Sequence, residues 1–181
     1  MGIEVQKIEV IGDCVRATHI FNSSESGIIG RLKNWMSIPN KPFNYITGTS
    51  HRGSQIIDIS EKHPALHSIG DYDESKLIRG NTPLVNQGNC HISITHSLEV
   101  DKRNGRKCYH NYLVPYGNDL SPVVFSKPFK LTNDEIEFVT TMINDGNDIH
   151  IGVTECDCIP YLMTFDKAEF FHAVFPMPKQ W

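Results

Sequence analysis

Residues of the types that move protons and bind anions are spread along the middle of this chain. A carboxyl group can give or take a proton, and Glu137 and Glu155 are two residues of this type. Arginine, lysine and histidine can hold the oxyanions of a phosphate group. The candidates for that role are Lys33, Arg52, Arg79, His96 and His110. Carboxyl and cationic groups together would suit the transfer of a group to or from a phosphate.

Several of these candidates also have a structural explanation. His96 ends an alternating run, so it shares a strand face with Ile92 and Ile94 and is either a ligand-binding residue or a hydrogen-bonded core residue. The same choice applies to His110, at the start of a predicted strand. Glu155 follows a strand in a predicted turn, where a carboxylate is either catalytic or simply solvated.

Glu137 lies between Ile136 and Phe138, so its side chain should point to the opposite face of their strand. It is then either solvated or paired with a cation, and Arg79 is the expected partner. Arg79 precedes a turn that can bring backbone close to a ligand, and it could equally bridge neighbouring sheets.

The five cysteines are scattered along the chain, which indicates free thiols in a reducing, cytoplasmic setting. Cys156 and Cys158 form a single C-x-C pair, which is too little for a zinc site. Strand alternation would place them on one face as small apolar residues. We therefore predict no metal and no cofactor.

The elements that must position these residues are predicted to be strands. The chain has 181 residues and holds 20 Ile and 11 Val against 9 Leu and 4 Ala, and β-branched residues favour pleated sheets. Short apolar runs alternate with turn residues at a spacing of roughly ten residues, which is typical of an all-β sandwich, barrel or propeller. We predict a single β domain over 1–181, with no helix and with a long connection at 61–76.

The apolar pattern of the first predicted strand, 3–11, indicates a slip or bulge. The other predicted strands cover 14–21, 35–38, 43–49, 55–59, 82–85, 90–98, 108–116, 122–125, 136–142, 149–153 and 161–165. The strongest turn signal in the chain lies at 144–147.

Composition and charge exclude several classes of protein. The formal net charge is −4, so we expect neither nucleic acid nor an anionic membrane as a partner. No apolar run approaches the ~20 residues that a membrane-spanning helix needs. The first residues lack the basic start and apolar middle of a secretory signal, so we expect a soluble, cytoplasmic protein.

Seven short segments of this chain occur in a fixed order over the region 33–165, whereas 1–30 is less distinctive. They are Lys33–Pro39, Arg79–Pro83, His96, Tyr109–Val114, Ser126–Phe129, Ile136–Val139 and Gly152–Cys156. Together they resemble segments of the five-bladed β-propeller domains of the β-mannoside phosphorylases and of related glycosyltransferases.

The resemblance implies a β-propeller-like fold and either glycosyl transfer or phosphorolysis on mannoside-like sugars with inversion. It implies that Glu137 and Glu155 are the catalytic carboxyl groups. The implied partners are a sugar or glycan, with phosphate or a nucleotide sugar. The implied substrate-binding residues are Lys33, Trp35, Arg52, Arg79, His96 and His110. Trp35 is either a residue that stacks on a sugar ring or a core residue of its strand.

The chain also departs from the family pattern. Leu32 stands where the phosphorylases place a catalytic acid, Asn111 where a basic residue is usual, Thr141 where Gly is usual, and Glu155 where Asp is usual. At about 45 residues per blade, the length suffices for about three or four blades. Either a second copy or a partner segment completes a propeller, or the resemblance covers a smaller, open β fold. The alternative function is a non-catalytic glycan-binding or assembly module, including a viral one.

Overall fold

The computed structural model of this chain describes residues 4–12, 14–22, 34–60, 65–73, 78–100, 102–103, 105–133, 136–156 and 158–175. These ranges contain thirteen strands and one helix. The strands are β1 Glu4–Ile11, β2 Cys14–Asn22, β3 Met36–Ile38, β4 Lys41–Ser50, β5 Gly53–Asp58, β6 Ala65–Gly70, β7 Arg79–Gly80, β8 Val85–Gln87, β9 Cys90–Val100, β10 Lys107–Tyr116, β11 Glu137–Asp145, β12 Asp148–Glu155 and β13 Ile159–Asp166. The helix is α1, Lys167–Val174.

The strands form four antiparallel sheets, which confirms the all-β prediction. One sheet is the β1–β2 hairpin. The first sheet of the family-like region has the order β3-β4-β5-β6, the middle sheet has the order β10-β9-β7 with β8 also paired to β9, and the last sheet has the order β11-β12-β13. The register of β1 shifts between Val5 and Gln6, which confirms the predicted bulge.

The middle sheet is buried on both faces. Its residues Ile92, Ile94 and Leu113 pack in one core cluster with Val139 and Ile151 of the last sheet. Each of these side chains is fully buried, and burial of an isoleucine or leucine side chain contributes about 1.5–3 kcal/mol. The alternation of β9 therefore places every second residue against the last sheet.

The opposite face of the middle sheet packs against the first sheet. Val114 and Tyr116 of β10 lie in a second core cluster with Met36, Ile46 and Ile56. Leu113 and Val114 are neighbours in sequence but pack in different clusters, because successive side chains of a strand point to opposite faces. Three sheets are thus stacked face to face, with the middle sheet shared.

The prediction that the chain has no helix is wrong. Helix α1 follows directly after β13, and the side chain of Asp166 caps it by accepting a hydrogen bond of 2.9 Å from the backbone N–H of Glu169. Phe170 and Val174 lie one helical turn apart and are both buried in the cluster beside the last sheet. The capping pair Asp166 and Glu169 was a readable helix signal in the sequence.

One predicted connection and two predicted strands are also corrected. The predicted connection at 61–76 contains the edge strand β6, which pairs with β5 through its backbone while most of its side chains are exposed, so it has no apolar alternation. The strand expected at 82–85 begins only at Val85. The strand expected at 122–125 is reduced to a single bridge between Tyr116 and Pro122.

Among the described residues, no helix is long and apolar enough to cross a membrane.

Candidate functional site

Three strands of the middle sheet align polar residues from separate motifs. The register pairs Arg79 of β7 with His96 of β9, and His96 with Asn111 of β10. Asn81 is held beside this row because its backbone N–H, like that of Thr82, donates to the carbonyl of Ile94, at 3.1 and 3.2 Å. The backbone N–H of Ile94 donates in return to the Thr82 hydroxyl at 3.0 Å.

Close packing of the first sheet on β7 explains why this row needs a glycine at Gly80. A Cβ atom there would collide with the side chain of Met36 and would lie 2.8 Å from the carbonyl oxygen of Asn34. The absence of a side chain lets the segment with Arg79 and Asn81 approach the first sheet closely.

A continuous chain of hydrogen bonds runs from this row into the last sheet. Nδ1 of His96 is hydrogen-bonded to Oδ1 of Asn81. Nδ2 of Asn81 donates to Oδ1 of Asn111 at 3.2 Å, and Nδ2 of Asn111 donates to Oε1 of Glu137. We call these four residues the polar chain.

Glu137 terminates the polar chain and is entirely buried. Besides Asn111, the backbone N–H of Leu131 donates to both carboxylate oxygens at 3.0 and 3.1 Å. The N–H and the hydroxyl of Thr132 donate to Oε2 at 2.7 and 2.8 Å. A buried carboxylate is costly unless its oxygens are hydrogen-bonded, and these neutral donors meet that need.

The predicted pairing of Glu137 with Arg79 is not what the structure has. Within the described part of the chain, no hydrogen bond or ion pair joins the two side chains, and the amides of Asn81 and Asn111 occupy the route between their strands. Arg79 is half-buried and instead acts on His96 by its charge.

His96 is only 2 % exposed, as expected for a core histidine. Its ring lies edge-on to Tyr109 at 5.0 Å and to Phe138 at 5.6 Å between centroids. Burial, with a smaller contribution from the charge of Arg79, lowers the pKa of His96 to about 4. The imidazole is therefore neutral at pH 7.

Two further predicted residues lie outside the polar chain. Glu155 pairs in register with Glu137, yet its carboxylate is half-exposed and accepts a hydrogen bond of 3.0 Å from the hydroxyl of Tyr161. That hydrogen bond raises the pKa of Tyr161. His110 points away from the face of its neighbour Asn111, and its Nε2 lies 3.4 Å from a carboxylate oxygen of Glu99.

Trp35 is half-buried, and its ring centroid lies 5.5 Å from that of Tyr45. Lys33 lies outside the described residues. Cys156 and Cys158 are exposed in the turn between β12 and β13, so the expectation that they are small apolar strand residues is wrong. The described residues contain no group of three or more His, Cys, Asp or Glu side chains that could hold a metal ion.

Arg52 lies in the turn between β4 and β5 and lines a cavity of about 410 Å³, which we call the hairpin cavity. Its other lining residues are Ser50, His51, Asp71 and Asp73. Ser50 is buried, and its hydroxyl accepts a hydrogen bond of 3.2 Å from the backbone N–H of Asp73.

A second cavity, of about 580 Å³, lies between α1 and the segment 127–131. Its walls are mainly apolar and include Phe129, Phe165 and Phe170. Leu131 also lines it, so this cavity shares a residue with the donors that hold Glu137.

No protein-family model, curated protein or solved structure matches this chain. The resemblance to propeller glycosyltransferases and phosphorylases therefore stays a prediction. Four of the seven segments that carry the resemblance each contribute one residue to the polar chain, namely Asn81, His96, Asn111 and Glu137.

Sequence reasoning missed the roles of Asn81, Leu131 and Thr132. Asn81 lies two residues from Arg79, and Asn111 was visible only as a departure from a family pattern. Leu131 and Thr132 contribute backbone N–H groups, which produce no sequence signal, and Thr132 adds its hydroxyl.

Proposed function

We propose that this chain binds a carbohydrate in the hairpin cavity and acts as a binding module rather than as a glycosidic-bond enzyme. The observation that carries the proposal is the chemistry of the lining. Asp71 and Asp73 offer acceptors to sugar hydroxyls and Arg52 offers paired donors, whereas the Ser50 hydroxyl is already hydrogen-bonded to Gly53 and Asp73. The volume lies within the range of about 300–1,000 Å³ that small-ligand sites occupy.

The imidazole ring of His51, which lines the cavity, supports a sugar as the ligand. The ring of His51 packs edge-on against Phe125 at 4.7 Å between centroids, and Phe125 packs against Tyr112 at 6.2 Å. Sugars present alternating hydroxyl and C–H surfaces, so a site with planar polar groups beside aromatic rings is complementary to them.

The state of the two carboxyl candidates favours binding over catalysis. A general acid must reach the glycosidic oxygen, directly or through one intervening group. Glu137 is entirely buried, and its oxygens are occupied by donors from Asn111, Leu131 and Thr132. Within the described residues, the contacts of Glu155 include Tyr161 and no cationic side chain that could hold a phosphate.

We further propose that the stacked sheets belong to a propeller-like scaffold, a finer description than antiparallel all-β. Its support is the resemblance, together with a middle sheet that is covered on both faces by consecutive neighbours. In such a scaffold, a second copy or a partner segment would supply further blades.

Isothermal titration of the full chain with mannose, methyl β-mannoside and β-mannobiose tests the binding proposal. We expect saturable binding of at least one sugar, weakened about tenfold by Arg52→Ala, because a charge-assisted hydrogen bond contributes about 1.5–3 kcal/mol. Arg16→Ala removes an exposed arginine of β2 and is the matched control, with unchanged affinity. Absence of binding, or equal affinity in Arg52→Ala, would overturn the proposal.

Glycosyl transfer or phosphorolysis is the second candidate function. It is favoured by Arg79, a half-buried cation in register with His96 within the family-like region. The test is phosphate release or consumption with a panel of mannosides and nucleotide sugars. An activity that Glu155→Gln abolishes would establish the enzyme and contradict the binding module. Turnover unaffected by both Glu155→Gln and Glu137→Gln would rule these residues out as its acids.

A further inference from the structure

We infer that Glu137, Asn111 and Asn81 act as positioning residues that fix His96 in the tautomer protonated at Nδ1, leaving Nε2 as the hydrogen-bond acceptor of the ring. The inference rests on the direction of the hydrogen bonds in the polar chain. It concerns the middle sheet and does not depend on the hairpin cavity.

The carboxylate end sets that direction. A carboxylate only accepts, so the amide of Asn111 must present Nδ2 to Glu137 and is left with Oδ1 facing Asn81. Asn81 must then present Nδ2 to Asn111, at 3.2 Å, and is left with Oδ1 facing His96. Because that oxygen also only accepts, Nδ1 of His96 must carry the proton.

The charge state and packing of His96 leave its ring with a single N–H donor in a fixed orientation. A protonated imidazole would donate from both nitrogens, but burial and the neighbouring Arg79 keep the ring neutral at pH 7. The rings of Tyr109 and Phe138 pack against it edge-on, which restricts ring reorientation. One ring nitrogen of His96 is therefore a donor, and the hydrogen bonds of the polar chain determine that it is Nδ1.

The hydrogen-bond donors around Glu137 fix the direction of the polar chain at its carboxylate end. Leu131 and Thr132 direct three N–H or O–H groups at the carboxylate, all of which need an acceptor. The carboxylate of Glu137 is therefore surrounded by donors, and among the described residues its side-chain partner outside that loop is the amide of Asn111.

Replacing Glu137 by Gln should reverse the whole chain. Oε2 of Glu137 faces donors of Leu131 and Thr132, so the glutamine oxygen should take that place and its NH₂ group should face Asn111. Asn111 would then turn its oxygen toward this NH₂ group. Asn81 would follow, presenting NH₂ to Nδ1 of His96 and moving the proton to Nε2.

Long-range ¹H–¹⁵N correlation spectra of the full chain with labelled histidine, recorded at pH 7 without sugar, test the relay. The His96 signals are assigned by their loss in His96→Gln. We expect protonated Nδ1 in the natural chain and protonated Nε2 in Glu137→Gln. Glu155→Gln, the register partner of Glu137, is the matched control and should leave protonated Nδ1.

Protonated Nε2 in the natural chain, or protonated Nδ1 in a folded Glu137→Gln variant, would overturn the inference. If Glu137→Gln does not fold, Asn81→Ala tests the same relay at its half-exposed end. Loss of the acceptor should move His96 toward the Nε2–H form, and an unchanged Nδ1–H form would contradict the relay. Sugar titration is a separate measurement, so failure of the proposed function and failure of the relay are distinguishable.

Discussion

At the scale of single residues, the buried carboxylate of Glu137 determines the direction of the hydrogen bonds in the polar chain. Its oxygens receive hydrogen bonds from Asn111, Leu131 and Thr132, and none from a cation in the described part of the chain. A buried carboxylate that is held by neutral donors orients every group that donates to it. Removing the carboxylate leaves several buried donors without an acceptor.

We expect Glu137→Ala to lower the free energy of unfolding by about 2–4 kcal/mol, since each buried unsatisfied donor costs about 1–3 kcal/mol. Urea denaturation followed by circular dichroism measures this loss. Glu155→Ala removes the half-exposed carboxylate across the strand pair and should change the stability by less than about 0.5 kcal/mol. Equal effects of the two substitutions would contradict the role given to Glu137.

His96 should make the protein less stable in acid. Its pKa is about 4 in the folded state against 6.5 for the ordinary side chain, so between these values the unfolded chain binds a proton that the folded chain does not. The stability is fully present above pH 6.5 and falls as the pH decreases toward 4, by roughly 3 kcal/mol for a shift of this size.

The measurement is the urea midpoint as a function of pH for the natural chain and for His96→Gln. Subtracting the two profiles removes the contribution of carboxylates that titrate in the same range. The difference between the two free energies should change between pH 6.5 and 4 and be constant above that interval. Parallel profiles would show that His96 is protonated equally in both states.

At the scale of elements, short strands and turns determine where the polar residues lie. Strand β7 has two residues, and its close approach to the first sheet depends on Gly80. Helix α1 covers the last sheet with Phe170 and Val174. Both elements are too short for a strong periodic signal, so their positions depend on contacts with larger neighbours.

Gly80→Ala should displace β7 from the first sheet, because the new methyl group would overlap the side chain of Met36. We expect a loss of about 1–3 kcal/mol in the free energy of unfolding, typical of an overpacked site. Gly88→Ala is a useful contrast, since its Cβ would meet nothing within 4 Å although its φ of +59° is strained. The His96 ring signals should shift in the Gly80 variant and not in the Gly88 variant.

Capping of α1 gives a second expectation at this scale. Asp166→Ala removes the acceptor for the N–H of Glu169 and should cost about 1 kcal/mol, measured by thermal or urea unfolding. Asp166→Asn keeps an acceptor oxygen and should retain most of the stability. An equal loss in both variants would assign the effect to charge rather than to the cap.

At the scale of the whole molecule, the middle sheet joins two hydrophobic clusters. Ile92, Ile94 and Leu113 face the last sheet, whereas Val114 and Tyr116 face the first sheet. The polar chain crosses the same boundary between the middle and last sheets, so the apolar and polar contacts hold the sheets in one arrangement. A substitution that leaves a cavity between the middle and last sheets should therefore both destabilise the fold and disturb the polar chain.

We expect Ile94→Ala to lower the free energy of unfolding by about 2–4 kcal/mol, as is usual for truncation of a buried aliphatic side chain. Leu162→Ala, at a position that is 72 % exposed on β13, is the matched control and should change it by less than about 0.5 kcal/mol. Denaturant titration of both variants gives the comparison. A large loss at Leu162 would mean that this face is covered in solution.

The sequence by itself determined that the chain is all-β, because β-branched residues and turn residues at short spacing are local properties. It also selected His96 and Glu137 as unusual, since each interrupts an apolar strand pattern. Strand β6 could not be predicted because it exposes most of its side chains. Helix α1 was missed although Asp166 and Glu169 form a capping pair, because eight residues show little periodicity. The tertiary structure alone decided that Glu137 meets Asn111 and backbone N–H groups instead of Arg79. This contact depends on how the middle sheet packs against the last sheet. Packing between two sheets produces no periodic pattern in the sequence.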